Sequence, residues 1–459
     1  MSEQSQSFLA KSNVKATDKE HRRKINFNIN KYNAVVPKGK EQFSDVNLAR
    51  EKAKNIKWKS LENLDKQLED FDATISRRGA KVIWAEDGQQ ALEAIGKICS
   101  EKNCKVVVKS KSMVTEEIHL NNFLEQQGIQ SVETDLGEYI QQLDGEPPYH
   151  IVTPAMHKSK EDVAKLFAEK LGTDPKLTPE QLTLVAREKL REKYTEAEVG
   201  ITGANFIIAD VGGIAITENE GNARLSCSMP KTHIVVVGIE KMIPSMTDLA
   251  LFWPLLSTFG TGQRITTYNT IVTGPKQEGE TDGPNEMYVI LLDNGRTNIL
   301  ANEKQRESLY CIRCGACLNA CPVYKNIGGH AYETAYSGPI GSVITPHLKE
   351  MGDWKHLSYA SSLCGNCTEV CAVKINLHEL LLENRHEAVD EGHSVYAERM
   401  AWKMWKVAML RRSFMNLGNS KIKNWLVNKL LKGWKENRAE MNFPKKSFNQ
   451  LWKEKYGNR

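Results

Sequence analysis

The sequence predicts regions of different class in succession. A helical arm over residues 1–75 leads into an α/β Rossmann-like three-layer domain over 76–300. An α-helical domain built on a run of cysteines follows over 301–392, and a basic helical tail over 393–459. Three observations carry this reading. Between about 80 and 300, short runs rich in Val and Ile alternate with helical patterns, as strands covered by helices on both faces do. Seven of the ten cysteines fall in two short motifs between Cys311 and Cys371. From Ala397 onward 16 Lys and Arg stand against 4 Glu and no Asp, with five of the nine Trp.

A chain of 459 residues has room for two or three domains, and 40% hydrophobic with 26% charged residues is the composition of a soluble globular protein. The net charge of +5 hides an asymmetry, because the tail carries +12 and the remainder −7. The first ten residues are polar and no apolar run approaches the length of a bilayer span. The expectation is a cytoplasmic protein, or one peripheral at the inner face of the membrane. Clustered cysteines, with only Cys99, Cys104 and Cys227 scattered, fit a reducing compartment in which thiolates serve metal.

In the arm, Trp58, Leu61, Leu64, Leu68 and Phe71 recur at helical spacing, which predicts a helix docked on the next domain. His21-Arg22-Arg23-Lys24 reads as a solvated helix face. Strands are predicted at Lys81-Val82-Ile83-Trp84, at Val106-Val107-Val108 and over Ile129 to Val132, with a helix from Thr115 to Gln127. Helices are expected over Asp162 to Leu171 and Pro179 to Lys193. Further strands fall over 206–209, 214–217, 234–237 and 288–292. No G-x-G-x-x-G follows a strand, so nothing supports dinucleotide binding. Val211-Gly212-Gly213 reads as a tight turn between strands that needs positive φ. Two polar stretches leave strand ends, where ligands of such sheets sit: Lys109-Ser110-Lys111-Ser112 with Thr115, Glu116 and Glu117, and Thr217 to Asn222. Each is equally a capped helix start or a charged loop.

The run Cys311-Ile312-Arg313-Cys314-Gly315-Ala316-Cys317-Leu318-Asn319-Ala320-Cys321-Pro322 reads C-x2-C-x2-C-x3-C-P. This is the bacterial ferredoxin pattern: three close thiolates grip one iron–sulfur cluster, and the Cys before Pro reaches a second. Cys364, Cys367 and Cys371 repeat the spacing of Cys314, Cys317 and Cys321. Zinc favours paired C-x2-C units, and disulfides are implausible without a secretory signal. Two clusters, expected to be 4Fe-4S, are therefore predicted. Gly315 and Gly365 let each loop curl towards sulfide. The 42 residues between Cys321 and Cys364 exceed the link of a compact small ferredoxin, so helices must fill them. A helix is predicted over Leu377 to Ala388 with Leu380, Leu381 and Leu382 inward, and a flexible loop over 328–341 near the clusters. For the tail, docking on a partner or on the cluster domain through Trp402 and Trp405 is preferred to membrane or nucleic-acid binding; Trp425, Trp434 and Trp452 extend the same pattern.

Gly203-Ala204-Asn205, Thr217-Glu218-Asn219-Glu220-Gly221-Asn222-Ala223-Arg224 and Asp293-Asn294-Gly295-Arg296, followed by the paired cysteine motifs and the Trp-rich tail, resemble the lactate utilization protein B family over nearly the whole chain. The resemblance implies a fold similar to the sugar-phosphate isomerase and CoA-transferase superfamily. It also implies a role with two companion proteins in oxidising L-lactate to pyruvate, without nucleic acid, at a peripheral membrane station or beside a quinone-linked acceptor. Carried over by residue, Cys311, Cys314, Cys317 and Cys371 would hold the first cluster, and Cys321, Cys364 and Cys367 the second. Ser361 stands where a fourth Cys would lead the second motif, so that cluster needs Ser361, Ser362, His330 or an exogenous ligand, or takes a 3Fe-4S form. Cys371 is followed by Ala372 where the pattern has Pro, which frees a backbone N–H. The paired clusters point to electron transfer and the resemblance supplies lactate, so the expectation is the electron-transfer subunit of an L-lactate-oxidising system. The rival readings are a CoA-transferase-like enzyme with Glu218 as nucleophile, and a nucleic-acid enzyme, for which no motif is found.

Overall fold

The computed structural model describes residues 2–411, 413–414, 418–430 and 439–457. Its ten strands are β1 (Lys81–Ala85), β2 (Val106–Lys109), β3 (Gln130–Glu133), β4 (Val199–Thr202), β5 (Phe206–Ile208), β6 (Gly213–Glu218), β7 (Thr232–Gly238), β8 (Met242–Ile243), β9 (Tyr268–Val272) and β10 (Glu286–Leu292). Six of them form one parallel sheet in the order β1-β10-β7-β4-β2-β3. The two faces of β7 explain its uninterrupted apolar run. Ile234 and Val236 join a core with Ala91, Ile95 and Ile98, whereas Val235 and Val237 join the opposite one with Phe252 and Leu255. Each such aliphatic side chain stabilises by roughly 1.5–3 kcal/mol.

The predicted strands at 206–209 and 214–217 leave this sheet. They form an antiparallel hairpin in a second sheet ordered β8-β5-β6-β9. A link this short can join only antiparallel neighbours, because a parallel pair needs a long crossover. Gly212 makes the turn at φ +56°, as the tight-turn reading requires. β4 escapes the sequence reading because Gly200 interrupts it. A Cβ there would lie 1.8 Å from the Ser226 carbonyl oxygen of a helix packed on the strand. The helix expected over Thr115–Gln127 is broken into Met113–Glu117 and Leu120–Gln126, where His119 takes a left-handed conformation.

Four N-terminal helices, Glu3–Thr17, Lys19–Lys40, Val46–Glu62 and Leu64–Ser76, dock as expected and reach further. Lys57 Nζ donates to the carbonyl oxygens of Glu240 and Met242 in the α/β part. Arg50 donates to those of Glu369 (2.7 Å) and Cys371 (2.9 Å) in the second cysteine motif. Arg23 lies on an exposed face, but His21 is buried with its Nε2 2.9 Å from the Tyr149 hydroxyl. After Cys321, helices occupy the interval to Cys364. The stretch expected to be a flexible loop is instead packed: Tyr332 and Tyr336 are buried, and Gly338–Leu348 is a helix buried through most of its length. Leu380 and Leu381 point inward from Leu377–Asp390, but Leu382 is exposed, since three consecutive helical residues cannot share one face.

Residues 2–388 form one compact unit, and the chain from Val389 onward forms another. The second holds helices Tyr396–Leu410, Ser420–Leu430 and Phe448–Tyr456. Trp402 and Trp405 meet edge to face at 5.7 Å, and Trp452 lies 4.5 Å from Tyr456. Trp434 lies outside the described residues. Among those described, no helix is long and apolar enough to cross a membrane.

Burial dictates one pH response. His233 is fully buried in β7, its Nε2 2.8 Å from Thr202 Oγ1, and desolvation pushes its pKa down to about 3. The folded chain therefore keeps it neutral while the unfolded chain protonates it near pH 6.5, so its contribution is present above pH 6.5 and is lost as pH falls towards 3. Replacing His233 by Gln is expected to flatten stability against pH between 6.5 and 4 by up to about 1.4 kcal/mol per pH unit. Urea unfolding of both proteins at several pH values checks this; parallel curves would refute it.

Candidate functional site

Both cysteine motifs fold alike. Arg313 and Leu363, each just before a cysteine, have φ of +61° and +52°; Gly315 and Gly365, just after it, have +79° and +78°. Short helices Ala316–Ala320 and Asn366–Glu369 follow. This repeated left-handed step turns backbone N–H groups towards sulfur. Arg313 N–H donates to Cys311 Sγ at 3.4 Å, Tyr324 N–H to Cys321 Sγ at 3.5 Å, and Ile375 N–H to Cys371 Sγ at 3.3 Å. The N–H freed at Ala372 favours the ionised Cys314 sulfur, a lowering influence on its pKa that a proline there would not supply.

The structure sorts seven cysteines into two sets. Cys311, Cys314, Cys317 and Cys371 line one small cavity, whose other walls include Ile151, Ile312, Leu318, Ile340, Val373 and Leu377. Burial, reinforced by the neighbouring thiols, pushes Cys314 up to about 12 and Cys371 to about 11. Buried thiols crowded in this way ionise only with a cationic group among them, and an iron–sulfur cube supplies one to four sulfurs at once. The donor set fits such a group. Cys321, Cys364 and Cys367 form the second set: burial, then the charges of Cys321 and Cys364, raise Cys367 to about 11. Cys364 is the exception, being exposed, with its pKa lowered first by the Asn366 N–H. Cys317 lies in helix Ala316–Ala320 and Cys321 caps its C-terminus, so one short helix carries a member of each set and brings the two sets side by side.

Of the three non-cysteine candidates for the second set, Ser362 hydrogen-bonds Cys364. Ser361 Oγ instead accepts from the Leu363 N–H at 3.1 Å. His330 faces elsewhere: its Nε2 lies 2.7 Å from the Pro147 carbonyl oxygen, in a group with Glu146 and His157.

An ionic network bolts the α/β part to the first cysteine loop. Arg296, 1% exposed, places Nε 2.5 Å from Glu240 Oε2 and its two Nη atoms 2.8 and 3.0 Å from the Glu117 carboxylate. The Tyr336 hydroxyl (2.6 Å) and Asn294 Nδ2 (2.6 Å) also donate to Glu117. Arg313 continues the chain, with Nη2 3.5 Å from Glu240 Oε1 and its guanidinium 4.3 Å from the centre of the Tyr336 ring. Burial raises the Glu240 pKa, but Arg296 overrides it and the carboxyl is held at about 2. Asp293-Asn294-Gly295-Arg296, which in the sequence stood out as part of the family resemblance, is therefore a joint between the α/β part and the first cysteine loop.

Glu218 has both carboxylate oxygens engaged, accepting from the N–H groups of Ala223 (2.7 Å) and Arg224 (2.9 Å) at the start of helix Asn222–Ser228. A carboxylate spent on capping is a poor nucleophile, and the CoA-transferase-like reading is not favoured. Lys241, Arg313 and Tyr336, which sequence reasoning passed over, line the α/β cavity together with Cys314 of the first set. The position of Arg313 between two cysteines was the one available signal.

The fold and thiol geometry define an iron–sulfur protein with an α/β domain in front of a two-cluster module. The LUD domain family matches residues 68–292, and the 4Fe-4S dicluster domain family matches 307–375. Lactate utilization protein B from Bacillus velezensis and from Bacillus subtilis are each 47% identical over 372 residues, covering 81% of this chain and 78% of the relative. The protein of that name from Bacillus cytotoxicus is 47% identical over 371 residues, with the same coverage. The chain belongs to the lactate utilization protein B family. A crystal structure of a duf162 family protein from Deinococcus radiodurans aligns over 50% of this chain and 98% of its own, at 15% identity and a TM-score of 0.29, too slight a likeness to bear on the fold.

Proposed function

We propose that this chain is the iron–sulfur electron-transfer subunit of a system that oxidises L-lactate to pyruvate with two companion proteins. Cys311, Cys314, Cys317 and Cys371 hold the first cluster, and Cys321, Cys364 and Cys367 the second. A hydroxy acid gives up two electrons and a cluster takes one, so an adjoining pair accepts both. The observation that supports this most is the placing of two thiol sets side by side, one with no exposed cysteine beside the α/β cavity and the other ending at the exposed Cys364.

The chain's own residues supply the setting. Apolar walls line the first set, none of whose cysteines is exposed, and backbone N–H groups donate to its sulfurs. Lys57, Lys241 and Arg313 lie within reach of the charge on Cys311 and offset the negative charge that builds up there. On this reading residues 1–75 are an arm, 76–300 an isomerase/CoA-transferase-like three-layer domain, 301–392 the cluster module and 393–459 a tail that docks a partner. The protein works in the cytoplasm or at the inner face of the membrane, feeding a quinone-linked acceptor, with no part for nucleic acid.

L-Lactate is expected to bleach the visible absorption of the cluster-loaded chain only when the companion proteins are present, because an iron–sulfur cluster takes single electrons and cannot itself accept a hydride. Bleaching of the isolated chain by L-lactate would overturn the assignment.

A further inference from the structure

A cavity of about 260 Å³ opens where the carboxyl ends of β2 and β4 meet the Arg313–Cys314 loop. Lys111, Asn205, Lys241, Arg313 and Cys314 are among the residues in its wall. Its acidic groups are already committed. Glu218 caps a helix, Glu220 accepts from the Leu136 N–H at 3.1 Å, and Asp135 accepts from the Glu138 N–H at 3.1 Å and faces Lys111 Nζ at 3.6 Å.

Of its cations, Lys111 is engaged by Asp135 and by the Val152 carbonyl oxygen, but Lys241 and Arg313 are not so satisfied. Lys241 is only 6% exposed, yet its ammonium has no hydrogen-bond or ion-pair partner among the described residues. Arg313 Nη1 is buried and likewise unpartnered, while Nη2 makes only the 3.5 Å contact to Glu240. Burying charged donors without acceptors is costly, and such groups are normally paired. Two of them in the wall of one cavity specify an anion. Offsetting the thiolate charge alone would need no empty space beside them. The volume lies below the roughly 300–1,000 Å³ of sites for drug-sized ligands, which suits a small acid and not a dinucleotide.

We propose that this cavity binds a small carboxylate, the class to which a 2-hydroxy acid and its 2-oxo counterpart belong, with Lys241 and Arg313 as its anion receptors. The site rests on the donors and the cavity; only the choice of L-lactate and pyruvate as probes rests on the proposed function.

Calorimetric titration of the cluster-loaded full chain with L-lactate, pyruvate, inorganic phosphate and chloride tests it. The two carboxylates are expected to bind in preference to the inorganic anions and to raise the unfolding temperature by mass action. Lys241→Met, compared with the wild type at equal iron and sulfide content, is expected to weaken carboxylate binding about tenfold or more, the loss of one charge-assisted hydrogen bond. Carboxylate is also expected to shift the EPR signal of the reduced first cluster in the wild type and not in the variant. Three outcomes overturn the site: no binding of either carboxylate up to the millimolar range, equal binding by wild type and Lys241→Met, or phosphate and chloride binding as well as the carboxylates. Carboxylate binding that Lys241→Met abolishes, without lactate-driven reduction in the presence of the companions, would sink the electron-transfer reading and leave the site standing.

Discussion

Replacing Arg296 by methionine is expected to destabilise the protein by about 3–5 kcal/mol at neutral pH, the usual cost of stranding buried charge. Surface pairs are worth at most about 1 kcal/mol, but here a single guanidinium serves two carboxylates, Glu117 and Glu240, which are 5% and 2% exposed. Without it both are buried anions, although Glu117 keeps the donors Tyr336 and Asn294. The pH response identifies the cause. In the wild type both carboxyls titrate below their ordinary value, Glu240 at about 2, so their contribution is present above about pH 4.5 and lost as pH falls towards 2. In the variant burial is opposed only by the Tyr336 and Asn294 donors at Glu117 and by Lys241 and Arg313 at Glu240, so both carboxyls are expected to rise and protonation to relieve the defect as pH falls from 7 towards 4.5. Urea unfolding at pH 7.5 and 5.5 is expected to give the larger difference at pH 7.5. A variant as stable as the wild type at both values would remove the network from the supports of the fold.

Mild oxidation of the cluster-loaded protein is expected to convert one cluster to a three-iron form detectable by EPR, while the other remains a four-iron cube. The two thiol sets differ in ligand count and in access. The first offers four cysteines, none of them exposed, around a small, largely apolar cavity; the second offers three, one of them the exposed Cys364 beside Ser362. An iron without its own thiolate is the most easily lost, and solvent access favours its release. Cys364→Ala is expected to abolish the three-iron signal by removing the second cluster and to leave the first cluster's spectrum in place. Two equally resistant four-iron clusters, each with four cysteine ligands, would count decisively against this assignment.

What the sequence revealed follows from the range of the interactions involved. β7 and β10 are runs of Val, Ile and Leu that declare themselves locally. β4, interrupted by Gly200, and β9, whose residues are all half-buried, depend on partners far along the chain. Helix Leu249–Thr261 carries Pro254 inside it, a residue that ordinarily ends a helix, and it too was missed. The cysteines were legible because one loop supplies most ligands of a cluster, so spacing encodes the chemistry. The Arg296 joint was not, because its members come from residues 117, 240, 296, 313 and 336, which only the tertiary fold brings together. Glu218 was legible as a carboxylate at a strand end, and only its two backbone donors disclose that it caps a helix.

Arg50 sets a constraint on biosynthesis. Its guanidinium, on an early helix, closes over the carbonyl oxygens of Glu369 and Cys371, 319 and 321 residues later. That clasp can form only once most of the polypeptide has left the ribosome, and contacts of such sequence separation are the slowest to form. The last cysteine is made late and fastened to what was made first. Until the two ends of the first unit come together, the first thiol set has three of its four sulfurs.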